Sequence, residues 1–497
     1  MQWEPISVWH CIICSNHGYS KLRLLNIHLI RTIMKKQILI LVVVLSFSLT
    51  LMAQENQDQQ TKKVKKGWNM GVLPSVAFDA DLGFQYGILT NIFNYGDGTK
   101  YPEYLHSIYF EAAYTTKKYG ILRLFYDSKY LIPNHRLTVD ATYIPDAMCD
   151  FYGYNGYQTV YNTNWHNSKK FDASEGYVSR AFYKFRRDLF RFSADLQGTI
   201  QNNWKWNVGL GALIYKTSPV NLDVLNRGKD SVDMLPAIDE LYDKYVNWQI
   251  LDPNEINGGA HPYLRLGIVY DSRNKQTNAT KGIYANAFVT YSSAFGAQKE
   301  YNNIKLNAVY QQYIPIYKER LSFAYRVGTQ LLLAGKSPYY MDNYLNTLFM
   351  QRVIYEAIGG ANSNRGILRS RVLADGFAYA NLEIRWRAFQ FDIAKQHFYI
   401  GFNPFLDMGM AVQPNPLNEE QVRASIAQND PDFDINKLDQ YLNFDPNAIY
   451  KPHFSVGTGL KIAMNENFVL SVDWALPLNE QDGANKANFY IKMGYLF

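Results

Sequence analysis

The sequence predicts an all-β protein, a transmembrane antiparallel β-barrel of about 16 strands with one long loop folded into the lumen. Three observations lead to this prediction. From residue 67 onward, segments of about ten residues alternate apolar and polar side chains, the pattern of strands that separate lipid from a polar interior. Aromatic residues make up 15% of the chain, including 39 Tyr, as expected for aromatic girdles. Connections between the segments include both tight turns and long insertions, as in outer-membrane barrels.

The N-terminal region differs from the rest of the chain. An apolar run at Ile38–Met52 follows two lysines and ends at the small residue Ala53. This is the pattern of a secretory signal peptide, and the run is too short for a membrane-spanning helix. We therefore expect export to the bacterial outer membrane with cleavage after Ala53. The predicted organisation is an incorrectly assigned start at 1–33, a signal peptide at 34–53, a polar linker at 54–66 and a barrel at 67–497.

Cysteine usage and charge exclude several classes of protein. Cys11 and Cys14 lie in the predicted start segment, which leaves Cys149 alone and predicts no disulfide. Residues 1–53 contain five of the 50 basic and one of the 44 acidic residues, so the remainder is nearly neutral and no nucleic-acid partner is expected. No nucleophile or metal-ligand motif is present. We therefore predict no catalytic residue, no metal and no cofactor, and we expect that the protein is not an enzyme.

The predicted strands number sixteen, an even number as bacterial outer-membrane barrels require. A tight turn is predicted at Asp188, and residues 70–78 form a candidate extra segment before the first strand. A short helix is predicted within EEQVRASIAQ, in the last of four long insertions at about 145–175, 217–260, 335–378 and 412–451. The predicted strands lie at 81–93, 104–116, 119–131, 134–144, 176–187, 190–201, 204–216, 261–272, 280–293, 302–315, 319–334, 379–391, 397–411, 452–464, 467–475 and 488–497.

The last predicted strand is the most regular of the sixteen. An amphipathic last strand with a terminal aromatic residue is typical of barrels in which that strand pairs with the first, so that no edge faces lipid. The lipid-facing residues of this barrel-closing strand are predicted to be Phe489, Ile491, Met493, Tyr495 and Phe497.

Two strictly alternating segments follow the loop that contains Arg365-Gly366. The polar parity of the first contains Glu383, and that of the second contains Asp407 and Gly409. A short connection makes the segments a hairpin and places the two carboxylates on one polar face, almost opposite each other. Adjacent carboxylates repel unless a cation lies between them. We therefore predict that Arg365 pairs with them inside the barrel; the alternative is a solvated loop arginine.

Four patches, taken in order, resemble the barrel of the BamA/TamA outer-membrane insertase superfamily, of the bacterial surface antigen type. The resemblance covers roughly residues 70–497. It departs at Asn364 and Ile367, where the family has an aliphatic and an aromatic residue, and at Ala279-Thr280, where it has proline. The 54–66 linker is too short for the family's periplasmic POTRA domains, so we expect a barrel without them. The patches are FYGYNG at Phe151–Gly156, GIVYDSRNKQTNATKGIY at Gly267–Tyr284, Arg365-Gly366, and LEIRWRAF with FLDMG in the hairpin.

The resemblance implies roles for two groups of residues. The first is a lumenal lock, in which the loop arginine pairs with acidic groups of the following strands: Arg365, Gly366, Glu383, Asp407 and Gly409. The second is a lumenal network of Asp271, Arg273 and Gly282. The parity of the strand predicts that Asp271 and Arg273 point into the lumen near an extracellular rim, with ordinary strand-end charges as the alternative.

The sequence leaves three functions open. The resemblance implies outer-membrane protein assembly, insertion or translocation, with outer-membrane lipids and either a periplasmic partner or client proteins as partners. The alternatives are a passive porin or small-molecule transporter and, less favoured by the scattered histidines, a barrel enzyme of lipid metabolism.

Overall fold

The computed structural model describes residues 64–166, 176–342, 357–393, 396–465, 468–483 and 486–497. The predicted start and signal peptide, and all but the end of the predicted linker, lie outside the described residues. The described residues form a closed barrel in which each strand pairs antiparallel with its neighbours in sequence and β1 pairs with β16. The predicted fold class is therefore confirmed.

The sixteen strands are 6 to 18 residues long. They are β1 Trp68–Asp79, β2 Gly83–Asn94, β3 His106–Thr115, β4 Gly120–Ile132, β5 His135–Asp150, β6 Lys184–Gln201, β7 Trp204–Ser218, β8 Gly258–Asp271, β9 Gly282–Ser292, β10 Asn303–Tyr317, β11 Leu321–Gly335, β12 Gly376–Ile393, β13 Gln396–Gln413, β14 His453–Met464, β15 Phe468–Pro477 and β16 Asn488–Met493.

The helices are short and lie in the connections. One of them, α5, contains the predicted EEQVRASIAQ helix, and its N-terminus is capped by the side chain of Asn418. Within the described ranges, no helix is long and apolar enough to cross a membrane. The helices are α1 Thr163–His166, α2 Leu222–Asn226, α3 Leu241–Asn247, α4 Tyr339–Asp342, α5 Glu419–Asn429 and α6 Pro446–Ile449.

Alternation of side chains explains why these segments form a barrel wall. In β12, Glu383 and Arg385 point inward and are buried, whereas Ile384 and Trp386 point outward and are 45% and 50% exposed. A basic side chain that faces lipid near the membrane midplane costs about 2–4 kcal/mol, so a shift of one residue in the pairing of this strand is strongly disfavoured. The register of the hairpin is therefore fixed by its own sequence.

The structure corrects the prediction at Asp188. The predicted strands 176–187 and 190–201 are replaced by the single strand β6, within which Asp188 pairs with Pro145 of β5 and Lys216 of β7. The Asp188 carboxylate accepts a hydrogen bond from Arg186, at 2.7 Å, two residues away on the same face. Because Asp188 pairs with a cation on its own strand, its charge is compensated there and the strand continues past it.

The structure also places a strand before the first predicted one. The candidate segment 70–78 is the greater part of β1, so the predicted first strand, 81–93, corresponds to β2. The structure has one strand more than predicted at the start of the barrel and one fewer at Asp188, so the number of strands remains sixteen. From β7 onward the predicted numbering agrees with the structure.

The two rims of the barrel differ. One rim, here called the short-turn rim, carries the ends of the barrel chain and tight connections such as 133–134, 202–203 and 318–320. The other, the long-loop rim, carries the connections 151–183, 219–257, 336–375 and 414–452. Two connections on the long-loop rim are nevertheless short, β1–β2 at 80–82 and β3–β4 at 116–119. The wall is therefore low on this side of the long-loop rim.

The long loops pack on one another around a shared aromatic core. The Phe151 ring lies edge-on to the Tyr245 ring with their centroids 5.2 Å apart, and Phe185 stacks on Tyr242 at 5.2 Å. Tyr339 of α4 joins the same cluster, which draws together three different loops. Aromatic pairs of this kind contribute about 0.5–1.5 kcal/mol beyond their buried area, so the described parts of these loops form a shared layer, here called the long-loop cap.

The seam between β1 and β16 is the shortest pairing of the barrel. It joins only Phe78 to Ile491 and Asp79 to Tyr490, whereas the adjacent β1–β2 pairing joins twelve residues of each strand. The β15–β16 pairing joins six residue pairs. The closure of the sheet is therefore weak at one edge of β16.

The barrel-closing strand differs from the prediction at its end. β16 stops at Met493, because Gly494 has φ +82° and turns the chain away from the wall. Tyr495 and Phe497 lie inside the barrel instead of facing lipid. The Tyr495 hydroxyl is 3.3 Å from that of Tyr399, and the Arg385 guanidinium lies 4.8 Å from the centre of the Phe497 ring. The lipid-facing assignment of these two residues is wrong, although Phe489, Ile491 and Met493 belong to β16 as predicted.

Candidate functional site

The loop between β11 and β12 turns back on itself inside the barrel. Ile358 pairs with Val372 in an isolated bridge, and the Gly360 amide donates a hydrogen bond to the carbonyl of Ile367 at 2.9 Å. Both Ile358 and Ile367 are fully buried. Residues 358–372, here called the plug segment, therefore form a compact finger with Arg365 near its tip.

Arg365 lies between carboxylates of the barrel wall, and its side chain is fully buried. Its Nε and Nη2 donate hydrogen bonds to the two oxygens of Asp407 at 2.9 and 3.1 Å, and its backbone amide donates to the same carboxylate at 3.0 Å. Its Nη1 is 2.8 Å from Glu383 Oε1. Both predicted partners are therefore in place, and Arg365 is not a solvated loop arginine.

Two further residues complete the surroundings of the guanidinium and were not among the predicted partners. Asp473 Oδ2 of β15 lies 3.6 Å from Arg365 Nη1, and Asp473 also pairs with Lys461 at 2.5 Å. The Phe405 ring centre lies 3.4 Å from the guanidinium carbon, a cation–π contact. Alternation does predict that Asp473 and Phe405 point inward. Both residues are far from Arg365 in the sequence, so no local pattern predicts their contact with it.

The register of the hairpin differs slightly from the predicted one. Asp407 pairs directly with Asn381, and Glu383 pairs with Phe405, so the two carboxylates are diagonal neighbours on one face. A register shift between Arg387 and Phe389 accounts for part of the offset. Glu383 also accepts a hydrogen bond from Arg385 at 2.8 Å. Three carboxylates and the cations Arg365, Arg385 and Lys461 thus balance one another in this buried group.

The two glycines of the predicted site are required for different structural reasons. Gly366 has φ +89°, and its amide donates a hydrogen bond to the Tyr490 hydroxyl of β16 at 3.1 Å. Gly409 leaves room for the plug segment, because a Cβ at this position would lie 2.3 Å from a methyl carbon of Ile358. A side chain at either position would therefore displace the loop from the wall.

Two other arginines attach the plug segment to the long-loop cap. Arg371 donates hydrogen bonds to the carbonyls of Gly156 and Thr159 at 2.8 and 2.9 Å. Arg369 pairs with Asp146 of β5 at 2.5 Å. Gly156 belongs to the FYGYNG patch, every residue of which is buried. This patch therefore serves as the surface on which the plug segment and the cap meet.

The predicted lumenal network lies at the opposite rim from the one expected. The Asp271 amide donates a hydrogen bond to the carbonyl of Asn203, within the two-residue turn between β6 and β7, which places Asp271 on the short-turn rim. Arg273 forms a bidentate pair with Asp271, with both contacts at 2.9 Å. Gly282 has φ +107° and packs so closely that a Cβ would lie 2.4 Å from the Ser272 carbonyl oxygen. Outer-membrane barrels have their longer loops on the extracellular side, so a position on the short-turn rim does not fit the expected extracellular rim. Parity gives the direction of a side chain but not the rim on which it lies.

The β8–β9 connection, which contains Arg273, reaches across the short-turn mouth of the barrel. Asn278 donates a hydrogen bond to the Tyr399 hydroxyl of β13 at 2.8 Å. Ala279 packs with Tyr313 and with Phe497 of the C-terminal tail. The arrangement can hold the lumen closed near the short-turn rim, whereas the plug segment occupies the lumen nearer the long-loop rim.

Comparisons with known proteins found a matching family model and similar solved structures. A model of the Omp85 superfamily domain matches residues 133–497, which is more than two thirds of the chain. The crystal structure of BamA from Haemophilus ducreyi lacking POTRA domains 1–3 superposes with a TM-score of 0.51 at 15% identity, over 86% of this chain and 70% of that one. CdiB from Acinetobacter baumannii gives a TM-score of 0.44 at 12% identity, over 87% of this chain and 60% of that one. Comparison with curated protein sequences found no match.

The family match covers the plug segment, the carboxylates that surround Arg365, and the closing strand. The superposition on the BamA structure supports the same barrel fold at low sequence identity. Barrels of this family reside in the bacterial outer membrane and act as insertases or transporters. The resemblance inferred from the four sequence patches is confirmed, and this chain belongs to the Omp85 superfamily.

Proposed function

We propose that this protein is exported by a cleaved signal peptide to the bacterial outer membrane and there inserts or translocates other proteins through the seam between β1 and β16. The observation that carries the proposal is the two-residue pairing at the seam, beside a pairing of twelve residues between β1 and β2. Its partners are outer-membrane lipids, client proteins and a periplasmic protein that delivers the clients.

The energetics of strand pairing favour opening at this place. A backbone hydrogen bond contributes about 0.5–1.5 kcal/mol to stability in net terms, and more where water cannot replace it. The seam therefore needs the least free energy of any strand junction to separate. Once open, it exposes edges of β1 and β16 that a client strand can pair with, since extended chains add readily to an unpaired sheet edge.

The plug segment has a defined part in this proposal. Gly366 accepts a hydrogen bond from Asn488 and donates one to Tyr490, so the plug segment touches the strand that must move. Lys492, also in β16, donates to the carbonyl of Ala361 at 2.7 Å. The lock at Arg365 keeps the plug segment beside the seam, where it supports β16 from within while the seam is closed.

The alternatives receive less support. A passive porin needs an open lumen, whereas here Arg365 and the carboxylates around it fill the lumen as fully buried groups. A lipid-metabolising enzyme needs a nucleophile beside a histidine. The buried His453 does pair with a carboxylate, Asp482, at 2.6 Å, but its ring stacks on Tyr157 at 3.8 Å and its Nε2 faces Gly156, which has no nucleophilic side chain.

The seam is tested by a disulfide between residues that pair across it. We expect Phe78→Cys/Ile491→Cys, once oxidised, to stop the assembly of other barrel proteins in cells whose native copy is depleted, and a reductant to restore it. The matched control is Val76→Cys/Tyr86→Cys, which joins paired residues of β1 and β2 and leaves the seam free. The readout is the abundance of other outer-membrane proteins by quantitative mass spectrometry.

Two results would count against the proposal. Full assembly with the oxidised seam pair would show that the seam need not open. Loss of uptake of a single solute on depletion, with other barrels unchanged in abundance, would favour the transporter alternative.

A further inference from the structure

A cavity of about 730 Å³ lies on the low side of the long-loop rim, apart from the Arg365 site. Its floor and sides come from the β1–β2 turn, the β3–β4 turn and the end of β5. The β5–β6 and β7–β8 loops, Leu368 of the plug segment and the β15–β16 connection complete the lining. The first two connections are only three and four residues long, so the cavity is low on that side, while the long β5–β6 and β7–β8 loops form its other walls. The volume is within the range of small-molecule sites, about 300–1,000 Å³.

The lining carries a large excess of positive charge. Seven Lys and Arg side chains line the cavity, against two Asp. Three of the cations, Lys118, Arg227 and Lys486, are exposed and form neither an ion pair nor a side-chain hydrogen bond with the described residues. Such a concentration of like charge creates a positive potential that favours the binding of an anion.

The two acidic residues do not neutralise this charge. Asp150 is already shared between Lys184 and Arg369, so it offsets cations outside the set of three. Burial, together with the nearby charges of Asp79 and Asp150, raises the pKa of Asp81 to about 8. At pH 7 the Asp81 carboxyl group is therefore mostly protonated and neutral.

Two polar atoms in the lining lack a hydrogen-bond partner. They are Nδ1 of His166 and Oδ2 of Asp81, and both are buried. Burial lowers the pKa of His166 to about 4, so its imidazole is neutral at pH 7. A polar ligand with hydroxyl groups would supply a hydrogen-bond partner to both atoms.

Aromatic rings are the third feature of the cavity, beside the cations and the unpaired polar atoms. Tyr152, Tyr161 and Tyr183 line one side of the cavity, and the Tyr152 and Tyr183 rings lie 5.2 Å apart. Flat rings beside hydroxyl-binding groups suit the apolar face of a sugar, and cations suit its phosphate.

We propose that this cavity binds a phosphorylated sugar group. The two possible sources are the headgroup of a glycolipid in the adjacent membrane leaflet and a free sugar phosphate.

The experiment compares two probes and two variants of the full-length protein. The lipid probe is phosphorylated lipid A in nanodiscs, with its dephosphorylated form as reference. The soluble probe is glucosamine 6-phosphate, with glucosamine as reference. The cavity variant is Lys118→Gln/Arg227→Gln/Lys486→Gln. The control variant, Lys100→Gln/Lys281→Gln/Lys318→Gln, removes the same charge from exposed residues of the short-turn rim.

We expect at least one phosphorylated probe to bind the wild-type protein at least about tenfold more tightly than its reference. We expect the cavity variant to lose at least tenfold in affinity and the control variant less than twofold. Binding of the lipid probe alone assigns the site to a membrane glycolipid. Binding of the soluble probe with the same dependence assigns it to a free sugar phosphate.

The proposal is overturned if neither phosphorylated probe binds better than its reference, or if the cavity and control variants behave alike. Folding of each variant is checked by the heat-dependent shift in gel mobility that barrels show. Because none of the substituted residues touches the seam pairing, a negative result here leaves the proposed insertase function untouched.

Discussion

Arg365 joins one loop to four consecutive strands. Its guanidinium meets Glu383 of β12, Asp407 of β13 and Asp473 of β15, and its backbone carbonyl accepts a hydrogen bond from Ser455 of β14. Bidentate guanidinium–carboxylate pairs are strong and directional, and all of these groups are shielded from water. The position of the whole plug segment therefore depends on one side chain.

Removal of this side chain leaves a buried excess of negative charge. We expect Arg365→Ala to destabilise the seated loop by about 3–5 kcal/mol, the usual consequence of removing one partner of a buried ion pair. The plug segment should then become sensitive to protease added to folded barrels, with cleavage near residues 358–372. The measurement is the rate of appearance of the cleaved fragments.

The matched control for this experiment is Arg423→Ala. Arg423 forms an exposed pair with Glu419 in α5, which contributes at most about 1 kcal/mol. We expect no change in protease sensitivity from this control. Equal protection of wild type and Arg365→Ala would show that Arg365 does not hold the loop.

Part of this site was accessible to sequence analysis. Glu383 and Asp407 share a polar face within one hairpin, and their mutual repulsion indicated a missing cation. Asp473 has the correct parity but lies two strands further along, and its contact with Arg365 depends on the curvature of the closed barrel. Local patterns do not encode that curvature, so the third carboxylate was missed.

The C-terminal tail acts as an element separate from β16. After the turn at Gly494, the Arg385 guanidinium lies 4.3 and 4.8 Å from the ring centres of Tyr495 and Phe497. Arg385 also donates a hydrogen bond to the carbonyl of Phe497 at 2.7 Å. These contacts hold the tail in the lumen and keep it from extending β16 along β1.

A substitution at Gly494 should move this element. A φ of +82° is strongly disfavoured for β-branched residues, so Gly494→Val favours an extended chain that continues β16. Continuation of the seam register from Phe78–Ile491 would bring Val76 opposite Met493. We therefore expect a Val76→Cys/Met493→Cys pair to form a disulfide several times more readily when Gly494→Val is also present.

Gly494→Asn is the conservative comparison, because asparagine tolerates positive φ better than other non-glycine residues. We expect it to leave the cross-linking yield near that of the protein with Gly494. An unchanged yield with Gly494→Val would mean that contacts within the lumen, and not the backbone at Gly494, keep the strand short.

The strands themselves were largely predictable, and the exceptions have physical causes. Period-two alternation identified β7 to β15 because one face of each meets lipid. The same alternation runs through residues 494 to 497, and only the glycine hints that the chain turns there. At Asp188 a charged residue was interpreted as a turn, although its partner Arg186 lies on the same strand.

The lumen is occupied at two levels in the molecule as a whole. The plug segment fills it beneath the long-loop cap, and the β8–β9 connection meets the C-terminal tail at the short-turn mouth. Side chains from distant parts of the chain thus form two layers across the barrel. Free passage of solutes requires both layers to move.

We therefore expect small, fluctuating conductance from the wild-type protein in planar lipid bilayers. Arg365→Ala should increase both the frequency and the size of openings, because the upper layer then loses its anchor. Single-channel recording measures both quantities. Arg423→Ala, as before, should match the wild type. A large and steady conductance in the wild type would contradict the two-layer arrangement and favour a porin.

The positions of the carboxylates around Arg365 also show which strands supply the charges that surround it as the barrel assembles. Glu383, Asp407 and Asp473 come from β12, β13 and β15, so the full set exists only after the fifteenth strand has joined the sheet. Glu383 and Asp407 offset the charges of Arg365 and Arg385 within the β12–β13 hairpin, whereas Lys461 of β14 and Asp473 of β15 offset each other. The charge of the seated arginine is therefore balanced by a single hairpin, and its contacts with β14 and β15 add to that balance as the wall is completed.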